Sequence, residues 1–201
     1  DVTEGRIGEW QTTSLGGRFY PADPRPEEMF ISDIANGCAL DCRYSGQGRV
    51  DRYYSVAEHC VHIARYAMHR RQWPAQAALA ALLHDASEGW YNDLSRAVKH
   101  AVGEGYERLE ARAQAMLYEK LGLTRVAQEW GAAIKSLDRR IVPLEKAAIM
   151  RTKLPWAFDQ FKPLEGVTSR CGSQVQAKKE FLDTYLLCRS AAGMKPEEVV
   201  Y

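Results

Sequence analysis

The sequence has 201 residues, of which 46% are hydrophobic and 26% charged, and its 27 Lys and Arg nearly balance 26 Asp and Glu. This composition is typical of an ordinary globular chain, and we expect a single domain over residues 1–201. The net charge of +1 argues against a protein that coats nucleic acid or an anionic membrane, because such proteins carry a marked basic excess. No uncharged stretch approaches the roughly 20 residues of a membrane span, so no membrane partner is expected either.

The first 50 residues contain most of the turn-forming residues and predict an irregular segment that packs on a helical core. Residues 9–13 and 17–20 flank a turn at Ser14-Leu15-Gly16 and are candidates for a small β-hairpin. A short helix is predicted within residues 27–43. The polar residues 1–4 predict no secretory signal peptide, and the five cysteines are too few and too irregular for a disulfide framework. We expect free thiols in a reducing cytoplasm.

After residue 54 the pattern becomes helical. Ser55 followed by Glu58 is a capping box and predicts a helix to about residue 71. Pro74 suits the start of the next helix, whose run of Ala and Leu through Leu83 is apolar nearly all round and therefore predicts a buried helix.

Three further helices complete the prediction. One spans about residues 104–121, and one begins near residue 124 and should kink or break at Pro143. The last begins at a second capping box, Ser173 with Gln176. The apolar face with Val175, Phe181 and Tyr185 on this helix is either an interface or part of the core. The predicted fold class is all-α, a helical bundle with the irregular, hairpin-bearing N-terminal segment.

The pair His84-Asp85 at the end of the buried helix is the most informative feature for function. Glu88 lies one turn later and Asp93 lies in the following turn. A buried helix end with an imidazole and several carboxylates costs stability unless a charged partner is bound there. The simpler alternative is that His84 caps its own helix and the acids are solvated.

Two residues on other helices favour a metal site. His59 lies early in the preceding helix, and Asp138 lies at the edge of the buried face of the fourth helix, although a surface ion pair is its simpler interpretation. Together with His84 and Asp85 they would provide two nitrogen and two carboxylate ligands. This mixed set suits a divalent transition metal such as Zn, Co or Mn.

These residues match the H…HD…D signature, and the sequence thereby resembles the HD-domain metal-dependent phosphohydrolases. Residues 92–99, NDLSRAVK, resemble the G-D-L-P-x-P-x-K segment of the 5′-deoxynucleotidase-like branch, and residues 41–44, DCRY, resemble its arginine–aromatic substrate motif. The matched segments run in order from about residue 17 to about residue 150. Ser95, Ala97 and Asn92 replace the usual two prolines and the glycine, in a loop that lies over the nucleotide in relatives.

The resemblance implies a metal-dependent deoxynucleotide hydrolase. The resemblance is strongest toward enzymes of phages whose DNA contains 2-aminoadenine in place of adenine, and these enzymes cleave dATP to deoxyadenosine and triphosphate. It therefore implies that the protein depletes dATP in the cytoplasm of an infected host. The alternatives are a 5′-deoxynucleotidase for monophosphates, a less specific triphosphohydrolase, and a non-catalytic HD-like binding module. Relatives form dimers or hexamers, so a homo-oligomer is expected.

The resemblance also implies roles for individual residues. His59, His84, Asp85 and Asp138 would hold the metal, with a second Mg or Mn ion as an option. Glu88 or Asp93 would orient or deprotonate the attacking water, and the substrate contacts are expected to come from Arg43, Tyr44 and Lys99. Arg96 is a weaker phosphate candidate. Among the tryptophans, only Trp90 is singled out as a possible neighbour of the site, and the others are expected in the core or an interface.

Overall fold

The structure, a computed structural model, describes residues 5–195 and 198–201. Residues 1–4 lie outside the described residues, so the structure does not bear on the prediction about a signal peptide. The described chain is mainly helical, which confirms the predicted all-α class. Its regular elements are β1 (Gln11–Thr12), β2 (Arg18–Phe19), α1 (Ile31–Leu40), α2 (Val56–Arg65), α3 (Ala75–Leu82), α4 (Glu88–Tyr91), α5 (Arg96–Val102), α6 (Glu104–Lys120), α7 (Thr124–Ile149) and α8 (Gln174–Ala191). Short 3-10 turns lie at Pro26–Glu28, Arg43–Gly46 and Ala157–Gln160, and a π-helical turn at Tyr66–Arg70 extends α2.

The predicted N-terminal hairpin is present. Strands β1 and β2 pair antiparallel with Gln11 opposite Phe19, and the turn closes with backbone hydrogen bonds between Thr13 and Gly16 and between Thr13 and Gly17. Phe19 is completely buried and stacks on Trp90 with the ring centroids 4.6 Å apart. The N-terminal segment is therefore part of the core.

Helix α8 lies at the centre of the packing and contacts α1, α2 and α3. It begins as predicted at Ser173, whose hydroxyl accepts a hydrogen bond from the backbone N–H of Gln176. Phe181 and Tyr185 are completely buried. Phe181 and Tyr185 therefore belong to the core of the same chain, whereas Val175 of the same predicted face is 80% exposed.

The capping box predicted at α2 is only half formed. The Ser55 hydroxyl accepts from the backbone N–H of Glu58, but the Glu58 carboxylate does not return to Ser55. It accepts instead from the backbone N–H groups of residues 170–172. Glu58 thus connects the loop before α8 to the start of α2. Three backbone N–H donors stabilise its carboxylate better than the single donor at Ser55 would.

Helix α7 continues through Pro143 to Ile149, so the predicted break is wrong. Proline in a helix interior costs about 3 kcal/mol through a lost hydrogen bond and a steric clash. The residues around it, Ile141 and Val142, are buried, and α7 packs on α2, α3 and α6. This burial of apolar surface offsets the local cost.

A glycine pair sets the position of α4. A Cβ on Gly37 of α1 would lie 2.0 Å from the carbonyl oxygen of Gly89, and a Cβ on Gly89 would lie 2.9 Å from that of Ile34. The two helix backbones are therefore in direct contact, which only glycine permits. Helix α4 was not predicted because four residues are too short for a periodic signal, yet it carries Glu88.

All five cysteines are free thiols, as expected. In the part of the chain that the structure describes, no helix combines the length and apolar character needed to cross a bilayer.

Candidate functional site

Four side chains from three helical elements converge at one point. His59 lies in α2, His84 and Asp85 follow α3, and Asp138 lies in α7. One ligand atom of each lies within 4.8 Å of those of the others. The His59 Nε2 atom is 3.3 Å from His84 Nε2 and 3.4 Å from Asp138 Oδ1. This group could hold a metal ion, as the sequence predicts.

Both imidazoles are oriented for coordination through Nε2. The His59 Nδ1 atom is 2.6 Å from a carboxylate oxygen of Glu145, and His84 Nδ1 is 2.8 Å from the backbone carbonyl of Ala81. Because both oxygens accept, each Nδ1 carries the proton when the ring is neutral, and the lone pair of Nε2 faces the centre. Such outer hydrogen bonds fix the tautomer of metal-binding histidines.

The charges at the centre suit a cation. Burial and Arg43 lower the pKa of His59, but the Glu145 and Asp138 carboxylates outweigh both and raise it to about 9. Burial raises the pKa of Asp138, but His59 and His84 reverse this and hold it well below its ordinary value. At Asp85, burial is likewise outweighed by His84, which lowers the pKa of that carboxyl. Both ligand carboxylates are thus ionised near neutral pH, and a divalent ion would replace the imidazolium protons that balance them.

Arg43 and Tyr44 connect the centre to the surrounding acids. Arg43 is 8% exposed, and its guanidinium lies 3.5 Å from Asp85, 3.8 Å from Asp93 and 3.5 Å from Glu145. The Tyr44 hydroxyl donates to Glu145. Glu145 therefore contacts one metal-ligand candidate and two of the three predicted substrate residues, Arg43 and Tyr44.

Glu88 and Lys99 form a second charged pair at the site. The Lys99 ammonium lies 3.3 Å from Glu88 and 3.1 Å from Glu110. Burial, together with Asp85 and Asp93, raises the pKa of Glu88 well above its ordinary range. Its Oε2 atom is buried and has no hydrogen-bond partner among the described residues. A buried carboxyl oxygen of this kind is satisfied by water or a ligand.

The loop that carries Asp93 is fixed from both sides. The Asp93 carboxylate accepts from the backbone N–H of Tyr44 at 3.4 Å, and the Asp93 N–H donates to Asp41. Burial raises the pKa of Asp41 to about 6. Asn92 before it has φ 67° and ψ 154°, a conformation found almost only for glycine. Asparagine tolerates positive φ better than most residues.

A cavity of about 750 Å³ opens over the centre. Asp85, Glu88, Asp93 and Asp138 line it at the centre, and six further lining side chains are basic: Arg43, Arg96, Lys99, His100, Lys135 and Arg139. Lys135 pairs with Asp138 at 2.6 Å. Arg96 and Arg139 have no ion-pair partner within residues 5–195 and 198–201, so both guanidinium groups are available to pair with an anionic ligand.

The structure brings together all nine residues predicted for the site, each in the metal group or in the cavity wall. Their roles stay predictions. Trp73 and Trp130 pack against the core as expected. The expectation is wrong for two others, because Trp90 is 7% exposed and stacks in the core, whereas Trp156 lines the cavity. Glu145 was missed, although it follows Asp138 by two helical turns and interrupts the apolar stripe of α7, which is a usable signal.

The fold and site define an all-α protein with a group of two histidines and two aspartates suited to a metal ion. The chain is 39% identical over 142 residues to the uncharacterized protein RCAP_rcc00048 of Rhodobacter capsulatus, covering 70% of this chain and 72% of that protein. It is 32% identical over 114 residues to the uncharacterized protein YfdR of Escherichia coli K12, covering 57% of this chain and 59% of YfdR. The chain therefore belongs to the same family as the R. capsulatus protein. No model of a known protein family matches it, so membership of the HD-domain phosphohydrolases stays a prediction.

Proposed function

We propose that the chain is a metal-dependent phosphohydrolase of deoxynucleotides, with dATP as its leading substrate and deoxyadenosine and triphosphate as products. The observation that carries the proposal is a four-ligand metal group under an open cavity with basic walls. Ligand pockets typically have volumes of about 300–1,000 Å³, and the cavity of about 750 Å³ suits a ligand of nucleotide size.

The ligand atoms favour a transition metal. Two imidazole nitrogens with two carboxylates are typical of Zn, Co or Mn sites, and Glu88 with its unpaired Oε2 is the added ligand that a second Mg or Mn ion would use. A bound divalent ion would polarise a phosphate oxygen and lower the pKa of a water molecule. Glu145 and the Ala81 carbonyl keep the histidines in the required orientation.

The cleavage we propose is of the bond between the α-phosphorus and the 5′ oxygen. Water attacks the phosphorus and loses a proton, and the 5′ oxygen takes up a proton as the bond breaks, so charge and protons balance. Asp93 and Glu88 line the cavity beside the metal group and are the acids that could transfer these protons. The same bond breaks for a mono- or a triphosphate, and only the phosphate contacts distinguish the two.

The number of cations favours the triphosphate. Arg43 and Lys99 are close to acids, but Arg96 and Arg139 face the cavity without an acidic partner in the described chain. A monophosphate over the metal would leave them unused. Arginine is suited to phosphate because its fork can donate two parallel hydrogen bonds.

Product analysis tests the reaction. The protein is stripped with a chelator and assayed with dATP and dAMP in the presence of Mn²⁺, Co²⁺ or Zn²⁺. We expect deoxyadenosine and triphosphate in equal amounts from dATP, only with metal, and no activity in Asp85→Ala or Asp138→Ala. Asp183→Ala on α8 is the control, because the partners of Asp183 among the described residues are Lys179 and Tyr201. Phosphate from dAMP alone would overturn the triphosphate assignment, and activity that survives both ligand substitutions would overturn the metal centre.

The free arginines test the phosphate number. Arg139→Gln and Arg96→Gln should raise KM for dATP about tenfold, the effect of about 1.4 kcal/mol, and change KM for dAMP little. Arg125→Gln is the matched control on α7, because Arg125 is exposed and pairs with Glu129. An equal rise in KM for dATP and for dAMP would show that neither arginine binds the phosphates that only dATP has.

A further inference from the structure

Part of the cavity wall is aromatic. Tyr44, Trp156 and Phe158 line it. The rings of Tyr44 and Trp156 have centroids 5.6 Å apart and are tilted by 49°. They do not stack face to face, so a flat ligand could lie against either ring.

Neighbouring residues of α7 hold the two rings. The Tyr44 hydroxyl donates to Glu145. The Lys146 ammonium lies 5.3 Å from the centre of the Trp156 ring and donates to the Leu154 carbonyl at 2.7 Å and to Asp159 at 2.5 Å. Asp159 in turn accepts from the backbone N–H of Trp156 at 2.8 Å. The segment that carries Trp156 is thus bound to the same helix as the metal ligand Asp138.

The backbone at Tyr44 supports a functional role for this wall. Tyr44 has φ 59° and Ser45 has φ 53°, two consecutive left-handed residues that are not glycine. Such conformations cost free energy for a bulky residue and are found mainly where function requires them. The strained turn directs Tyr44 to Glu145 and into the cavity wall.

We propose that Trp156, with Tyr44, forms the binding site for an aromatic base, and that Trp156 is the residue on which the base stacks. The proposal rests on the proposed function, since it assigns the base end of the same nucleotide. Aromatic stacking suits every base because each has a π-face, and Lys146 fixes the indole before the ligand arrives, which lowers the cost of ordering it. The site thereby selects nucleoside phosphates over phosphate esters without a ring.

Steady-state kinetics of Trp156→Ala and Trp156→Phe test this assignment. Trp156→Ala should raise KM for dATP about 10- to 100-fold, in the range of base–aromatic stacking, with little change in kcat, and Trp156→Phe should recover most of the loss. Inorganic triphosphate, which has no base, should inhibit both variants as it inhibits the unmodified enzyme. Trp10→Ala is the control, because Trp10 is exposed and contacts Arg18 on the hairpin. An unchanged KM, or an equal weakening of triphosphate, would overturn the assignment.

The support by Lys146 is tested separately. Lys146→Met should raise KM for dATP several-fold, with an unchanged inhibition constant for triphosphate. Lys179→Met removes a comparable arrangement on α8, where the ammonium lies 5.7 Å from the Tyr201 ring and pairs with Asp183. It should leave the kinetics unchanged. Equal kinetics for the two lysine variants would refute the role of Lys146.

Binding of deoxyadenosine separates this inference from the proposed function. Deoxyadenosine has no phosphate, so its affinity, measured by calorimetry, does not depend on hydrolysis. If the protein hydrolyses nothing but binds deoxyadenosine and Trp156→Ala loses this binding at least tenfold, the proposed function fails and the base site stands. If Trp156→Ala binds deoxyadenosine as well as the unmodified protein does, the base site is overturned whatever the reaction.

Discussion

Replacing Glu145 by glutamine tests whether this carboxylate positions a metal ligand. Glu145 is completely buried and contacts His59 Nδ1 at 2.6 Å, the Arg43 guanidinium at 3.5 Å and the Tyr44 hydroxyl. Burial raises its pKa, but Arg43 and His59 outweigh this and lower it to about 2. Glutamine keeps the volume and one acceptor and removes the charge.

The effects on stability and on metal affinity should differ. Breaking a buried ion pair typically costs about 3–5 kcal/mol because a charge is left unpaired. Here Arg43 keeps Asp85 and Asp93, so no charge is left alone, and we expect Glu145→Gln to lower the free energy of unfolding by only about 1 kcal/mol, one hydrogen bond. Metal affinity should fall about 10- to 100-fold, the usual effect of losing a hydrogen-bond partner of a metal-binding histidine.

Two measurements decide this prediction. Urea unfolding of the metal-free protein gives the stability, and titration with Zn²⁺ or Mn²⁺ against a competing chelator gives the affinity. The conservative control is Glu110→Gln. Glu110 pairs with Lys99 and is not one of the four residues of the metal group. A variant that loses stability and affinity together, or that binds metal as well as the unmodified protein, would refute the positioning role of Glu145.

Three further predictions concern the scaffold around the site. Gly37→Ala places a Cβ 2.0 Å from the backbone oxygen of Gly89 and should lower the free energy of unfolding by about 1–3 kcal/mol. The added Cβ of Gly131→Ala meets no described atom within 4 Å, so this variant should raise the free energy of unfolding by about 0.5–1 kcal/mol. Equal urea midpoints for the two variants would contradict this prediction. Asn92→Ala should cost about 1 kcal/mol and Asn92→Gly should not, since the backbone conformation of residue 92 favours glycine, and a better-tolerated alanine in thermal unfolding would be the contrary result. Burial, reinforced by Arg170, lowers the pKa of His62 from 6.5 to about 4. The unfolded chain therefore binds more protons than the folded protein between these pH values, and the free energy of unfolding should fall by roughly 3 kcal/mol as the pH drops from 6.5 to 4. His62→Gln should show a shallower fall, and identical pH profiles for the two proteins would refute this prediction.

The sequence predicts the long helices well, since their signals are local. The serine caps at residues 55 and 173 and the apolar periodicity identify where α2, α3, α6 and α8 begin. The short helices α4 and α5 give no such signal, because one or two turns contain too few residues to show a period. Their positions depend on contacts such as the glycine pair between α1 and α4, which joins residues far apart in the chain.

The metal-ligand candidates were predictable because they match the H…HD…D pattern and because His84 and Asp85 follow a buried helix. The contacts of their supports were not, because His59 meets Glu145 across 86 residues and Tyr44 meets it across 101, although the interrupted apolar stripe of α7 marks Glu145 itself. Nothing local to Trp156 distinguishes it from a core tryptophan. Its place in the cavity follows from Lys146 and Asp159, which no periodic pattern connects with a site.

Helix α7 explains why the continuity at Pro143 matters for the site. Asp138 lies before the proline, and Glu145 and Lys146 lie after it. The first is a metal-ligand candidate, the second orients His59, and the third supports Trp156. A break at Pro143 would let these groups move independently, whereas one packed helix holds them in fixed register. Because Ile141 and Val142 are buried beside the proline, the packing that offsets the cost of Pro143 also keeps the metal group and the aromatic wall in one rigid unit.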